Sequence, residues 1–304
     1  MFLNKGDTIG IVSPSAPVTD ELKEQFNKGL KVLEDMGFNI LLSKNVFSNS
    51  LGYSASINEK IEDLHEMFKN KDVKAIICSQ GGQNSNTILP YLDYELIKNN
   101  PKIIFGISDA TALLNAIYTK TKIITYHQND LIWGMGIEAN KDEMEDFKLR
   151  LVDGQKGEIK HFTDSWKCLR KGTCEGTLIG GNLSTLVKLL NTEYCPNFKD
   201  CILFLEEFAE ESPLDEVDSK INILKQQGVF NQIKGLWIGY YEKDTEKVKY
   251  EDVVMNNVKE YKFPILKCND FGHNCSNVVI PIGAKARLTA DECKEIGRAS
   301  CRER

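Results

Sequence analysis

The sequence predicts an α/β protein of two domains, the first built on a mainly parallel sheet and the second of mixed α and β structure. Three observations carry this. From Thr8 to about Tyr126 short apolar runs alternate with helix-period segments, the signature of βαβ units. Between about Lys141 and Thr173 charged residues dominate and strand patterns fade, which marks a junction. Beyond it, strand and helix patterns resume in mixed order. The predicted division is residues 1–160, a linker at 161–179, and a second domain at 180–294. The segment Glu295–Arg304 has no apolar period and reads as translated sequencing adapter, a non-native tail that leaves the native C-terminus missing.

The strand candidates of the first domain are Thr8–Val12, Asn39–Leu42, Lys74–Ser79, Ile103–Gly106 and Ile123–Tyr126. Its first helix places Leu22, Phe26, Leu30 and Leu33 on one face and stops at Gly37, a helix C-cap residue. The next opens with Ser56 and Glu59, the spacing of a capping box, and presents Ile61, Leu64 and Phe68 to the sheet. His65 on that helix reads as a solvated surface residue. In the second domain a helix follows Gly180-Gly181-Asn182-Leu183, a strand covers Cys201–Leu205, and a helix starts near Leu214 with Val217, Ile221 and Leu224 inward. Gly235–Tyr240 reads as a strand, Tyr250–Tyr261 as a helix, and Pro264–Leu288 as strands and turns.

Composition excludes several classes. The chain has 304 residues, a net charge of -6 and scattered Lys and Arg, so no basic stripe awaits nucleic acid. Met1–Asp7 lacks the basic start and apolar core of a secretion signal, and no run is long enough to span a bilayer, so a cytoplasmic location without membrane contact is expected. Nine cysteines in a chain of this kind read as reduced thiols. Cys268, His273 and Cys275 lie close together without a C-x-x-C pair, which gives no zinc site. Neither G-x-G-x-x-G after the first strand nor a Walker motif is present, and no cofactor is expected.

The chemistry centres on Gly106-Ile107-Ser108-Asp109, between the apolar run Ile103–Phe105 and the helical pattern Ala110–Tyr118. A serine at a sharp strand-to-helix turn has its hydroxyl pushed out at the sheet edge, with free helix N–H groups behind it. On these four residues alone, a helix cap is the simpler account. Glu206, closing the Cys201–Leu205 strand, and His273, after Gly272, change the balance. Together with Ser108 they compose a candidate Ser-His-Glu triad: the imidazole takes the serine proton and returns it to the leaving amine, while the carboxylate fixes the tautomer. Glu207 competes as orienter, but strand alternation points it to the opposite face. His127 offers an alternative base, although a histidine after an apolar strand is as often structural. His161 invites no functional reading. Ser108 falls in the first predicted domain and the other two in the second, which puts the expected site in an interdomain cleft.

With these residues in view, the chain resembles the LD-carboxypeptidase family of serine peptidases, which includes the microcin C immunity proteins. The similarity runs from Lys5 to about Leu288 through Ser13-Pro14-Ser15, Gly81-Gly82, Leu89–Tyr94, Gly106–Asp109, Gly180–Leu183, Phe204–Glu207 and Gly272-His273. It implies a Rossmann-like N-terminal domain, a smaller C-terminal α/β domain, and a homodimer as one option. It also implies that Ser108, Glu206 and His273 are catalytic, with the amides of Asp109 and Gly82 (or Gly81) as oxyanion donors and no metal or cofactor. The implied substrates are murein tetrapeptides, which lose a terminal D-alanine, or peptidyl and aminoacyl nucleotides cut at their amide. The loop Gln80–Asn86 looks more like the immunity subgroup and makes Gly81 and Asn84 candidates for substrate contact. Trp166 either stacks on a nucleobase or packs over the domain junction. Two departures leave the pocket shape open: Tyr126–Asp130 stands where many relatives have a Gly-Pro turn, and Ile107 replaces a usual aromatic. The rival from another class is a non-catalytic module that binds a small metabolite in the same cleft.

Overall fold

The computed structural model describes residues 2–138, 141–159, 161–245, 247–291 and 299–303, and the chain divides into two compact units, Met1–Gln155 and Lys156–Arg304. In the first unit the strands are β1 (Thr8–Val12), β2 (Asn39–Leu42), β3 (Val73–Cys78), β4 (Ile103–Gly106) and β5 (Thr125–His127). All neighbouring pairs among them are parallel, and they run in the order β2-β1-β3-β4-β5. This is a doubly wound order whose chain direction reverses between β1 and β3, so the carboxyl ends of those strands open the crevice where such sheets bind ligands. Ile9, Ile11, Ile76, Ile77, Ile104 and Phe105 are fully buried along the strands, as expected where helices cover both faces of a sheet.

Helices α1 (Lys23–Asp35), α2 (Ile57–Lys69), α3 (Tyr94–Asn99) and α4 (Ala110–Thr121) connect the strands. The Ser56 capping box forms, its hydroxyl accepting from the Glu59 amide while the Glu59 carboxylate accepts from the Ser56 amide. Residues Ala110–Ile117 of α4 are all buried, which makes it the central helix of the unit. It ends with Lys122 in the left-handed conformation (φ 63°), so the strand expected from Ile123 begins only at Thr125. His65 is not solvated: it is half-buried, and its Nε2 accepts the Asp93 N–H at 2.9 Å, joining α2 to the start of α3. That tie consumes the lone pair that periodicity alone assigns to water.

The second unit carries β6 (Lys167–Arg170), β7 (Gly172–Asn182), β8 (Cys201–Glu206), β9 (Gly235–Ile238), β10 (Ile265–Lys267), β11 (Ile280–Ile282), β12 (Lys285–Ala290) and β13 (Ala299–Glu303). Its sheet runs β13-β12-β7-β8-β9-β10-β6; the four strands β7 to β10 are mutually parallel and the flanking pairs antiparallel. The predicted linker at 161–179 is a correction: β6 and most of β7 occupy it. The charged composition that suggested a linker belongs to an edge strand and to the part-exposed first half of β7. Of the suspected tail, residues 295–298 and 304 lie outside the described residues, while Ala299–Glu303 pairs antiparallel with β12, where composition predicts no strand. Gly180 (φ 148°) sits where β7 crosses β8 so closely that a Cβ would lie 1.8 Å from the Phe204 carbonyl oxygen. Among the described residues no helix is long and apolar enough to cross a membrane.

Candidate active site

The first-unit half of the site is the turn from β4 into α4. Ser108 has φ +60°, a left-handed conformation that costs a residue with a Cβ roughly 1–2 kcal/mol. The turn is closed by the Ala110 amide donating to the Ile107 carbonyl at 3.2 Å and the Thr111 amide to the Ser108 carbonyl at 2.9 Å. A Cβ on Gly106 would lie 2.8 Å from the Ala110 Cβ, so the strand must end in glycine for the helix to start this close. Ser108 is not the cap of this helix: that position is Asp109, which makes no side-chain cap bond. Ser108 instead sits partly accessible at the N-terminus of a 12-residue helix, as in a nucleophile elbow.

Against this turn lies the glycine loop that follows β3. A Cβ on Gly81 would come 2.7 Å from the Ser108 Cβ, and one on Gly82 (φ 143°) 2.4 Å from the Ser15 Oγ and 2.7 Å from the Ala16 amide nitrogen. Both positions therefore need glycine, and the loop backbone approaches the serine directly. The Asp109 carboxylate, fully buried, ties the pieces together: it accepts from Ser15 Oγ and from the Ser85 amide, both at 2.6 Å, while Ser85 Oγ donates to the Asp109 carbonyl at 2.5 Å. Asn84 donates its amide to Ser15 Oγ at 3.3 Å, and its Oδ1 accepts from the buried Lys60 ammonium at 2.7 Å. Burial lowers the Lys60 pKa to about 8, with the Asp109 charge acting in the opposite direction. His127 is fully buried at the end of β5.

In the second unit the imidazole Nδ1 of His273 and the Oε2 of Glu206 are 2.6 Å apart, with Glu206 fully buried and the imidazole 16% exposed. A proton on Nδ1 facing this carboxylate makes Nε2 the basic atom of the ring. Phe208 stacks on the ring, centroids 4.7 Å apart, which limits its rotation. Gly272 (φ 134°) makes the preceding turn, closed by Asn277, whose Oδ1 accepts from the Gly272 amide and whose Nδ2 donates to the Gly272 carbonyl, both at 2.8 Å. Glu207 is engaged elsewhere. It accepts from Asn182 Nδ2 at 3.0 Å and from the Ser184 amide at 2.9 Å, anchoring the helix Leu183–Val187, and burial raises its pKa. The two adjacent carboxylates thus have different partners, Glu206 at the end of β8 and Glu207 just beyond it.

Trp166 is a second correction. Its indole is buried to 1% exposure, donates Nε1 to Asp270 Oδ2 at 2.5 Å and stacks on His161 at 3.9 Å, so it is a core residue of the second unit and offers no face to a nucleobase. Asp270 also accepts from the Phe162 amide and Thr163 Oγ, which folds segment 161–166 onto the sheet. Cys268 is buried, accepts the Trp237 indole N–H at 3.3 Å, and has its pKa pushed up to about 12 by burial. Among the described residues no group of three His, Cys, Asp or Glu is arranged to hold a metal ion. Motif and periodicity leave the roles of Lys60, Ser15, Phe208 and Asn277 hidden. A signal exists for Lys60, a cation one turn before Leu64 on the buried face of α2.

Comparison with known proteins gives the family. Residues 9–128 match the LD-carboxypeptidase N-terminal domain and residues 175–288 the LD-carboxypeptidase C-terminal domain. A probable murein peptide carboxypeptidase of Bacillus subtilis is 30% identical over 95% of this chain and 91% of its own length. The microcin C7 self-immunity protein MccF of Escherichia coli is 32% identical over 94% of this chain and 91% of its own. Among solved structures, MccF in complex with glutamyl sulfamoyl guanosine superposes with a TM-score of 0.90 at 29% identity, over 99% of this chain and 96% of that one. An MccF-like protein of Bacillus anthracis gives a TM-score of 0.88 at 32% identity, over 100% and 98%. The chain belongs to the LD-carboxypeptidase family of serine-type peptidases.

Proposed function

We propose that the protein hydrolyses an amide bond in a small peptide-like substrate such as a murein tetrapeptide, releasing the terminal D-alanine through an acyl-enzyme. Ser108 Oγ attacks the scissile carbonyl as His273 Nε2 takes its proton. The resulting oxyanion is held by the amides of Asp109 and of the glycine loop, at Gly82. Collapse breaks the C–N bond, and the imidazolium returns the proton to the departing amine. Water, deprotonated by the same imidazole, then cleaves the Ser108 ester and restores the hydroxyl. Glu206 holds the tautomer throughout and stays ionised.

The observation that carries this reading is the 2.6 Å contact between a fully buried carboxylate and a part-exposed imidazole, an arrangement with chemical use and little structural need. The strained conformation of Ser108 supports it, since strain persists at sites that use it. Cytoplasmic action is part of the proposal, on the reading of the nine cysteines as reduced thiols. A second reading, cleavage of an aminoacyl nucleotide amide, is favoured by the likeness to MccF bound to an acyl sulfamoyl nucleoside. Purified protein is tested on a murein tetrapeptide and on an aminoacyl sulfamoyl adenosine, beside Ser108→Ala. Release of D-alanine, absent in the variant, is the expected result; cleavage of the nucleoside alone would select the second reading. Equal activity in Ser108→Ala would overturn both.

A further inference from the structure

Lys60 lies outside every catalytic role assigned above, yet its side chain ends at the loop that flanks the nucleophile. It is 3% exposed, on the inward face of α2, with Nζ 2.7 Å from Asn84 Oδ1. Asn84 and Ser85 are consecutive, and each leads to Asp109: Asn84 through Ser15 Oγ, Ser85 directly. The loop is thus fixed by a buried anion on the elbow and a buried cation on α2. A buried carboxylate is costly without a partner of opposite charge, and the Lys60 ammonium is a cation whose charge interacts with Asp109. We propose that Lys60 is a positioning residue for the reaction: its ammonium, by holding Asn84 and balancing Asp109, keeps the glycine loop seated against Ser108 so that the Gly82 amide is preset for the oxyanion.

This rests on the serine-peptidase reading, and the test separates the two. The charge on Lys60 is the active element, and burial brings its loss into an accessible range, about pH 8. Of the groups near it, Asp109 is the charged one that acts on Lys60. On its own helix Glu59 is engaged by Ser48, Ser50 and Ser56, and Asp63 by Ser43 and Asn45. Among the elements packed on α2, β1 has no titratable side chain, and β3 contributes exposed Lys74 and Cys78, whose thiol burial pushes upward. Tyr91 of the turn Ser85–Tyr91 and Glu95 and Lys98 of α3 are exposed, while Tyr94 is half-buried.

The sign is distinctive. A lysine whose folded pKa lies below its unfolded value binds more protons unfolded, so this group makes the fold more stable as pH rises from about 8 towards 10.5. Positioning by the ammonium is lost over the same interval. Activity and stability therefore diverge above pH 8, which a purely structural lysine would not produce. The experiment measures kcat, KM and melting temperature from pH 6 to 10 for the wild type, Lys60→Met and Lys60→Arg, with Ser108→Ala as control. Expected is a loss of about 10- to 100-fold in kcat for Lys60→Met with KM within about threefold. In Lys60→Arg, whose guanidinium stays charged, kcat recovers and its alkaline limb moves up in pH. A Lys60→Met enzyme with wild-type kcat, or an alkaline limb unmoved by Lys60→Arg, overturns the proposal. Activity surviving in Ser108→Ala overturns the underlying reading, and this inference with it.

Discussion

Glu206→Gln isolates the electrostatic part of the proposed triad. The replacement has the same shape, so the 2.6 Å contact with His273 Nδ1 and the stacking of Phe208 on the ring can persist. What changes is the proton. A glutamine that turns its Nε2 to the ring donates to Nδ1, which forces the imidazole proton onto Nε2 and removes the lone pair that must accept from Ser108. A glutamine that turns its Oε1 to the ring keeps the tautomer but no longer stabilises the imidazolium, and at a fully buried position no water substitutes for the lost charge. In a serine protease triad the equivalent carboxylate-to-amide change lowers kcat by about 10⁴. At about 1.36 kcal/mol per tenfold, that is about 5 kcal/mol of barrier. The assay is steady-state release of the amine product at neutral pH, with circular dichroism to confirm folding. A loss of at least about 10³ in kcat with KM little changed is expected. A loss below about tenfold in a folded variant would refute the assignment of Glu206 and, with it, the reasoning from burial and distance.

Other perturbations follow from the same geometry. Ser108→Gly relieves a left-handed residue, so it should be inactive yet up to about 1 kcal/mol more stable by urea unfolding; marked destabilisation would contradict the strain. Gly82→Ala would place a methyl 2.4 Å from Ser15 Oγ and shift the loop amide, and a loss of about 10²- to 10³-fold in kcat is expected, while near-normal turnover would remove Gly82 from the oxyanion hole. Gly180→Ala meets the Phe204 carbonyl at 1.8 Å, and denaturant titration should show a loss of about 3 kcal/mol or more. A stable Gly180→Ala variant would mean that β7 and β8 cross less closely than described.

The elements legible in the sequence are those whose residues answer to their own neighbours. β1 and β4 are continuous apolar runs, and α2 announces its start with a capping box, so each is located within a residue or two. The misplacements have a common cause in long-range pairing. β6 and the first half of β7 are polar because one is an edge strand and the other part-exposed, and their partners lie far along the chain: Arg170 pairs with Ile265, and Thr173 with Thr289. Trp166 stays open between two roles in the sequence because nothing adjacent reveals Asp270, 104 residues later, as the acceptor of its indole N–H. The Ser108 turn is legible from Gly106 and the helix that follows, whereas its positive φ is not. Glu206 is separable from Glu207 by alternation, and the bonds of Glu207 to Asn182 and Ser184 give the physical reason. Lys60 escapes notice because a lysine on a helix normally reads as solvated, and only the packed fold shows its ammonium directed at Asn84.

The central claim is that Ser108 is a nucleophile activated by His273. Peptide-mapped mass spectrometry after reaction with a serine-directed phosphonate tests it whatever the natural substrate is. One adduct per chain, located on Ser108 and slowed at least about a hundredfold by His273→Ala, is the predicted result. An adduct on another residue, or labelling of Ser108 at the same rate in both proteins, would contradict the account.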